Sequence, residues 1–378
     1  MIIRECREEE RQATIALINR VFRESENLKP TMQLEFPLLL GANNVEHMII
    51  AIEEDEVIGC VNYYISNIII EGTSLKVASI GAVCTEERFR GKAIASKLLD
   101  YVENKMISEG ILFEIISGKR GLYLSRGASS IGKSYEFEIN KSISLKDTAF
   151  EFEDFNEKNL EDIITLYNGE INRYYRSYEE FVLFKQGATY NWGNLEFYTL
   201  CLKEENNIIA YVVVMVDRKT NKALIKEFSG DRRALACSLP KLYNMLKVEE
   251  VSLFSTWKDT IVPLLKKQGS VCSEIDQYCS IKVLDYEAMM EKFIPYFSQY
   301  LNHEELQDLE FKKIDQNYII KFKEEVIELK SIKEVNRLIF GSLDFNLMDL
   351  CSNDKKLYEV LNKVFPIPFV WMCNMNFI

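Results

Sequence analysis

Between Ser79 and Ala95 the chain changes its hydrophobic period. Ser79-Ile80-Gly81-Ala82-Val83-Cys84-Thr85 reads as an apolar strand, and Glu86 to Lys92 is polar, largely basic and carries one glycine. From Ala93 the period becomes 3.6, with Ile94, Leu98, Tyr101, Val102 and Met106 on one face. A strand that runs through such a turn into a helix places the chain among α/β folds. It also leaves unpaired N–H groups and a positive dipole end at the turn, which suits a pyrophosphate. Gly91 and Ala93 are small where backbone must approach phosphate, while Arg88, Arg90 and Lys92 add charge. Spacing alone does not separate this reading from an ordinary basic surface turn.

Around this feature the first 148 residues alternate between strands and helices. Ile2–Glu5 is a short strand, and Arg11 to Arg23 carries a helical apolar stripe. Residues 24–46 read as irregular, with Pro30 and Pro37 and a short apolar helix around Leu38–Leu40. His47–Glu53 and Val57–Ser66 flank a charged turn and form a hairpin, which Ile68–Glu71 and Ser74–Cys84 extend. Ile111–Ile116 is a strand, Gly121–Arg126 a short helix, and Ser134–Ile139 alternates as a final strand.

The pattern has an internal echo. Glu54-Asp55-Glu56-Val57-Ile58-Gly59 returns as Glu205-Asn206-Asn207-Ile208-Ile209-Ala210, a polar turn feeding an apolar strand. The order of elements returns with it: a helix at Leu160–Tyr167, strands at Phe197–Leu202 and Ala223–Phe228, a helix at Ala234–Leu246, a strand at Glu249–Phe254. Two copies of one α/β domain, at 1–147 and 148–284, account for this. The last part differs, with an amphipathic helix at Met289–Leu301, strands at Tyr318–Phe322 and Val326–Leu329, and a helix ending near Gly341. The final stretch, Phe365 to Met372, is too apolar for a frayed end and is expected to be buried.

Composition narrows the chemistry. The 378 residues suit two or three domains, and 47% apolar content suffices for real cores. A net charge of −12 disfavours phosphate backbones, so nucleic acid is an unfavourable partner and cationic small molecules a better one. Only two histidines, His47 and His303, are present, so a His-rich metal site is not expected. Nine cysteines without a Cys-x-x-Cys pair read as reduced, mostly buried thiols of a cytoplasmic protein. With charge by Arg4 and no apolar run near bilayer length, neither a signal peptide nor a membrane partner is expected.

Arg88-x-x-Gly91-x-Ala93 matches the Gln/Arg-x-x-Gly-x-Gly/Ala signature of GNAT acetyltransferases, and the strand, helix and hairpin around it resemble that family. The resemblance implies that acetyl-CoA binds as co-substrate along Ala82, Val83, Cys84, Arg88, Phe89, Arg90, Gly91, Lys92, Ala93, Ile94 and Ala95. The three-part chain resembles the enhanced-intracellular-survival (Eis-like) branch. The implied fold class is α/β (α+β): two tandem GNAT-like mixed-sheet domains, then a small sterol-carrier-like α+β domain at 285–378. In the second copy Gly230-Asp231-Arg232-Arg233-Ala234-Leu235 stands at the turn without the signature, so no acetyl-CoA is expected there. Related branches are often hexameric, which implies a homo-oligomer.

By the same resemblance Tyr123, four residues before Gly127, stands at the general-acid position. A phenol there can return a proton to the departing thiolate; the other reading is a tyrosine packed against the sheet. The chain's terminal carboxylate is the branch's general base, which implies Ile378; the other reading is a tail that closes the third domain's core. No metal is required. An amine attacks a thioester carbonyl held by a strand N–H, for which Val83 is the candidate. The acceptor would be a primary amine of a cationic small molecule or lysine side chain, attracted by Glu24, Glu26 and Glu35. The alternative class is a non-catalytic acyl-CoA or lipid-binding protein.

Three features point elsewhere. Gly127-x-x-x-x-Gly132-Lys133-Ser134 fits a P-loop, but an alternating strand follows it where a phosphate-cradling helix is needed. Cys84 lies beside the thioester position, yet no histidine or cation is in place to lower its pKa, so it reads as a strand residue. Tyr190, Trp192 and Tyr198 read as packing first and as a substrate pocket second.

Overall fold

The computed structural model describes residues 1–142, 150–352 and 354–378. In chain order the first part gives β1 (Ile2–Glu5), α1 (Glu8–Phe22), α2 (Met32–Glu35), β2 (Met48–Glu53), β3 (Glu56–Ile70), β4 (Thr73–Thr85), α3 (Ile94–Ser108), β5 (Phe113–Ile116), α4 (Gly121–Ser125) and β6 (Ser129–Ser130). Acidic Glu8, Glu9 and Glu10 open α1, where they complement the helix dipole. In α3 Ile94, Leu98, Val102 and Met106 of the predicted stripe are buried, each contributing about 1.5–3 kcal/mol; Tyr101 is only half-buried, and Leu99, outside the predicted set, is buried with them. Two-residue turns close both hairpins, with Glu54 and Asp55 at φ 50° and 62° and Glu71 and Gly72 at φ 45° and 87°. Paired positive φ angles match the twist of the flanking strands.

The second part gives β7 (Lys133–Glu138), β8 (Phe150–Asp154), α5 (Leu160–Asn168), β9 (Asn172–Tyr174), α6 (Tyr178–Ala188), β10 (Leu195–Glu204), β11 (Asn207–Asp217), β12 (Lys222–Gly230), α7 (Arg232–Ser238), α8 (Leu242–Met245), β13 (Glu250–Thr256), α9 (Ile261–Lys267), β14 (Val271–Asp276) and β15 (Ser280–Val283). The first sheet runs β1-β2-β3-β4-β5-β15-β6, with β9 against β3; the second runs β8-β10-β11-β12-β13-β7-β14. In each, three antiparallel pairings lead to one parallel pair, β4–β5 and β12–β13. The repeat read from the sequence is therefore present in the topology.

One strand assignment is corrected. The strand expected to finish the first copy, β7, lies in the second sheet between β13 and β14, and β15 fills the equivalent gap in the first sheet between β5 and β6. The two copies are interlocked by this exchange. Alternation shows that one face of a strand is buried but not which sheet buries it, so the sequence pattern is silent on the exchange. The expected boundary between residues 147 and 148 lies outside the described residues.

Three helix expectations also change. The helix in the first loop is Met32–Glu35, whereas residues 37–40 form a turn; Phe36 precedes Pro37 and leaves the helical region, as a pre-proline residue must. The span 234–246 is broken at Pro240 into α7 and α8. The span 289–301 likewise splits at Pro295 into α10 (Tyr286–Lys292) and α11 (Ile294–Phe297).

The remainder consists of α12 (His303–Asp308), the antiparallel sheet of β16 (Leu309–Ile314), β17 (Asn317–Phe322) and β18 (Glu325–Leu329), then α13 (Ile332–Phe340), α14 (Leu347–Leu350) and α15 (Lys355–Val364). Its core is continuous with Ile68, Ile70, Val77, Phe113 and Ile115 of the first sheet. As expected, Phe365, Ile367, Phe369, Val370 and Met372 are buried. The fold is thus mixed α/β, with two repeated sheets and a third α+β part. Among the described residues no helix is long and apolar enough to cross a membrane.

Candidate active site

The site begins where β4 and β5 part. Their parallel pairing runs from Val77–Phe113 to Ile80–Ile116 and stops. Immediately beyond it β4 bulges: Gly81 faces Asn62 and Cys84 faces Cys60, so Ala82 and Val83 together oppose Val61. Ala82 sits at φ 48°, a left-handed conformation that costs about 1–2 kcal/mol in a residue with a Cβ. The fully buried Asn62 holds it there, donating from Nδ2 to the Ala82 carbonyl at 3.1 Å. Val83 thus lies inside the bulge and past the last β5 partner, at the mouth of the split. Asn62 was not singled out from the sequence, although an amide within the apolar run Val57–Tyr63 was a visible signal.

The Cys84 thiol lies 3.5 Å from that of Cys60. The hydrogen bond to Cys60, together with burial, holds the Cys84 thiol well above its ordinary pKa. It is a protonated strand residue, as expected, and not a nucleophile.

The turn that follows is open. Glu87–Phe89 forms a single 3-10 turn, and α3 begins at Ile94, one residue after the expected change of period. Gly91 is at φ 80°, and a methyl group placed on it would meet nothing within 4 Å. Ala93, at φ 56°, caps α3 without a side-chain hydrogen bond, and the first helical turn contains no acidic residue. The helix therefore presents uncapped N–H groups and its positive end to an exposed surface. Arg90 and Lys92 are exposed beside it, whereas Arg88 forms an ion pair with Glu56 across the turn, so the charge expected from Arg88 is already engaged. A pyrophosphate fits this cradle: the backbone is approachable, the donors are unspent, and two cations remain.

Tyr123 and Ile378 flank the split from opposite faces of the sheet. Tyr123, on α4, packs with Ile94, Leu98, Ile116 and Ala128 on the α3 face. Its ring is buried, its hydroxyl makes no hydrogen bond among the described residues, and burial pushes the phenol above its ordinary pKa. Ile378 packs with Leu39, Met48, Ile50, Cys60 and Cys84 on the α1 face. A methyl group placed on Gly81 would lie 3.0 Å from the Ile378 carboxyl carbon. The last residue therefore lies directly against the strand position that precedes the bulge.

Glu114 of β5 is buried near Tyr123, and its Oε2 has no hydrogen-bond partner. Burial, with the Glu103 charge adding to the effect, pushes its carboxyl up to about 8. The folded chain then keeps a proton that the unfolded chain releases above its ordinary carboxylate value, so stability falls as pH rises between those limits. Replacing Glu114 by Gln is expected to stabilise the protein by about 3 kcal/mol at pH 7 and by almost nothing at pH 4. Denaturant unfolding at several pH values checks this; a gain independent of pH contradicts it.

The acidic loop is less available than expected. Glu35 is buried and bonded to Arg23 and to the Thr31 hydroxyl, the latter at 2.7 Å, so it is a structural group; Glu24 and Glu26 remain exposed. Arg23 also lies 4.3 Å from the Trp192 ring centroid, whereas Tyr198 bonds to Glu196 and Arg218. Trp192 and Tyr198 therefore serve separate packing contacts. At the P-loop-like segment, β7 follows Gly132 directly, so no helix N-terminus exists there.

The second copy keeps the split and loses the cradle. β12 and β13 part after Ile225–Leu253, with an extra residue at Lys226, but only Asp231 separates β12 from α7. Asp231 caps α7 by accepting from the Ala234 N–H at 2.7 Å. Arg232 is held by Glu170 at 2.6 Å and Asp259 at 3.0 Å. Carboxylates thus occupy the place where the first copy offers cations. A cavity of about 690 Å³ opens here, and Phe369, Val370 and Trp371 of the tail form one of its walls.

Residues 2–130 match the family model of the acetyltransferase (GNAT) domain, and the bulge, the cradle and Tyr123 all lie within that stretch. Solved structures resemble nearly the whole chain. A GCN5-related N-acetyltransferase from Anabaena variabilis is 15% identical, with a TM-score of 0.66 over 98% of this chain and 97% of its own. An Enterococcus faecalis protein described as a probable N-acyltransferase is 13% identical, with a TM-score of 0.68 over 98% and 97%. Eis1 from Mycobacterium abscessus is 11% identical, with a TM-score of 0.63 over 96% of each chain. At such identities the likeness is one of fold. No curated protein sequence matches the chain. The domain match supports acyl transfer as the general chemistry.

Proposed function

We propose that the protein is an acetyl-CoA-dependent N-acetyltransferase that moves an acetyl group to a primary amine by direct attack within a ternary complex. The observation that carries this is the bulge at Ala82–Val83, placed at the β4–β5 split and followed by the uncapped N-terminus of α3. The cradle at Arg90 to Ala93 holds the pyrophosphate, which directs the thioester into the split, where the Val83 N–H donates to the carbonyl oxygen. The amine approaches from the α1 face, and the Ile378 carboxylate accepts its proton. Tyr123, on the other face, donates a proton to the sulfur as the C–S bond breaks and the new C–N bond forms. Protons and charge balance without a covalent enzyme intermediate. The acceptor is a cationic amine such as a polyamine, an aminoglycoside or a lysine side chain, in keeping with the net charge of −12.

A panel of such amines, followed by thiol release from acetyl-CoA, tests the proposal. At least one amine should give turnover, and acetyl-CoA should raise the melting temperature. Stabilisation by lipids in place of acetyl-CoA, with no turnover on any amine, would replace this reading with the binding-protein alternative.

A further inference from the structure

We propose that the second copy is a receptor for the chain's own C-terminal segment, and that its buried Arg176–Glu227 pair sets the position of the Ile378 carboxyl group. The second half rests on the reading of that carboxyl as the general base.

The tail enters the second copy at the cleft described above. Trp371 stacks on Phe254 of β13, with ring centroids 4.9 Å apart and planes 6° from parallel. Gln277 grips the backbone on either side of Trp371, donating to the Val370 carbonyl at 2.9 Å and accepting from the Met372 N–H at 2.8 Å. Glu227, next to the extra residue Lys226 of β12, then takes over. Its Oε2 accepts from the Met375 N–H at 3.2 Å, and its Oε1 accepts from the Tyr211 hydroxyl at 2.7 Å. Arg176 donates to both Glu227 oxygens, at 3.0 and 2.7 Å, and turns its Nε–H to the Asn376 Oδ1 at 2.7 Å. The guanidinium also lies 4.0 Å from the Tyr167 ring centroid.

A buried ion pair is a weak source of net stability, because desolvation offsets most of the attraction. What this pair does fix is geometry, since its two partners hold two consecutive residues of the tail. Burial pushes the Glu227 carboxyl up, yet the adjacent Arg176 outweighs it and keeps Glu227 charged. Met375 packs against Tyr211 and Val213 of the second copy, while Ile378 packs against Cys60 and Cys84 of the first. The hand-over from one copy to the other takes place within three residues, a span of roughly 10 Å at full extension. Fixing Met375 and Asn376 therefore leaves the Ile378 carboxyl little freedom. The degenerate copy keeps its strand split and bulge and uses them to seat a segment of its own chain.

The test uses the full-length protein and the Asn376→Ala and Glu227→Gln variants. Carboxypeptidase Y should release Ile378 slowly from the unmodified protein and at least about tenfold faster from Asn376→Ala, whose change leaves no buried charge unpaired. Thiol release from acetyl-CoA, with spermine and kanamycin as acceptors, should show kcat reduced on the order of tenfold to a hundredfold while the acetyl-CoA KM stays unchanged. A general loss of fold would move both constants together. Wild-type protection of Ile378 in both variants would overturn the proposal, and faster release with unchanged kcat would overturn its catalytic half. A chain lacking only Ile378 that keeps full turnover would instead retire the carboxylate reading, while the protection assay would still decide whether the tail is clasped.

Discussion

Adding residues after Ile378 is expected to reduce turnover by about two to four orders of magnitude while the acetyl-CoA KM stays close to its original value. Two causes act together. The added peptide bond replaces the carboxylate with an amide, and loss of a positioned proton acceptor removes a factor of that size. The extension must also leave a place where the carboxyl carbon and the Leu39 side chain both lie against Gly81. A C-terminal amide on Ile378 separates the causes, because it removes the charge and adds almost no volume. Equal losses in the amide and the tagged chain mean that the chemistry dominates. Full activity in either variant removes Ile378 from the mechanism.

The second large effect is expected at Tyr123. Tyr123→Phe keeps the ring that packs among Ile94, Leu98, Ile116 and Ala128, and the hydroxyl it removes bonds to no other described residue. Folding and acetyl-CoA binding should therefore be unchanged, while kcat falls by about a hundredfold through loss of the proton returned to sulfur. Burial holds the phenol above its ordinary value near 10, so Tyr123 stays protonated throughout the neutral range. On the basic side, the kcat of the unmodified enzyme should not decline through Tyr123 ionisation until pH exceeds that value. A variant with unchanged kcat and an unchanged pH profile would reduce Tyr123 to a packing residue.

How much of this was legible in the sequence depended on distance along the chain. The turn at Gly91, the change of period at Ala93, the charged hairpin turn at Glu54–Asp55 and its echo at Glu205 are local patterns, and each corresponds to a feature of the fold. The exchange of β7 and β15 was hidden because a period of two is the same in either sheet. Pro240 and Pro295 were visible signals that the longer helix readings passed over. Asn62 could have been noticed as a lone amide in an apolar strand. Arg176 and Glu227, 51 residues apart, had no such signal, because each reads as an ordinary surface charge until the fold buries it. Glu35 is the opposite case: its place in an acidic loop suggests a free charge, and the fold makes it a buried partner of Arg23.

Whether acetyl-CoA binds at the turn of residues 88–93 is decided by a calorimetric titration. A single site per chain should be found, and Gly91→Glu should weaken it by at least about tenfold. That change puts a carboxylate beside the pyrophosphate and a Cβ at φ 80°, where glycine is favoured. Two equivalent sites per chain, or one whose affinity Gly91→Glu leaves intact, would place the cofactor somewhere other than the split of the first sheet.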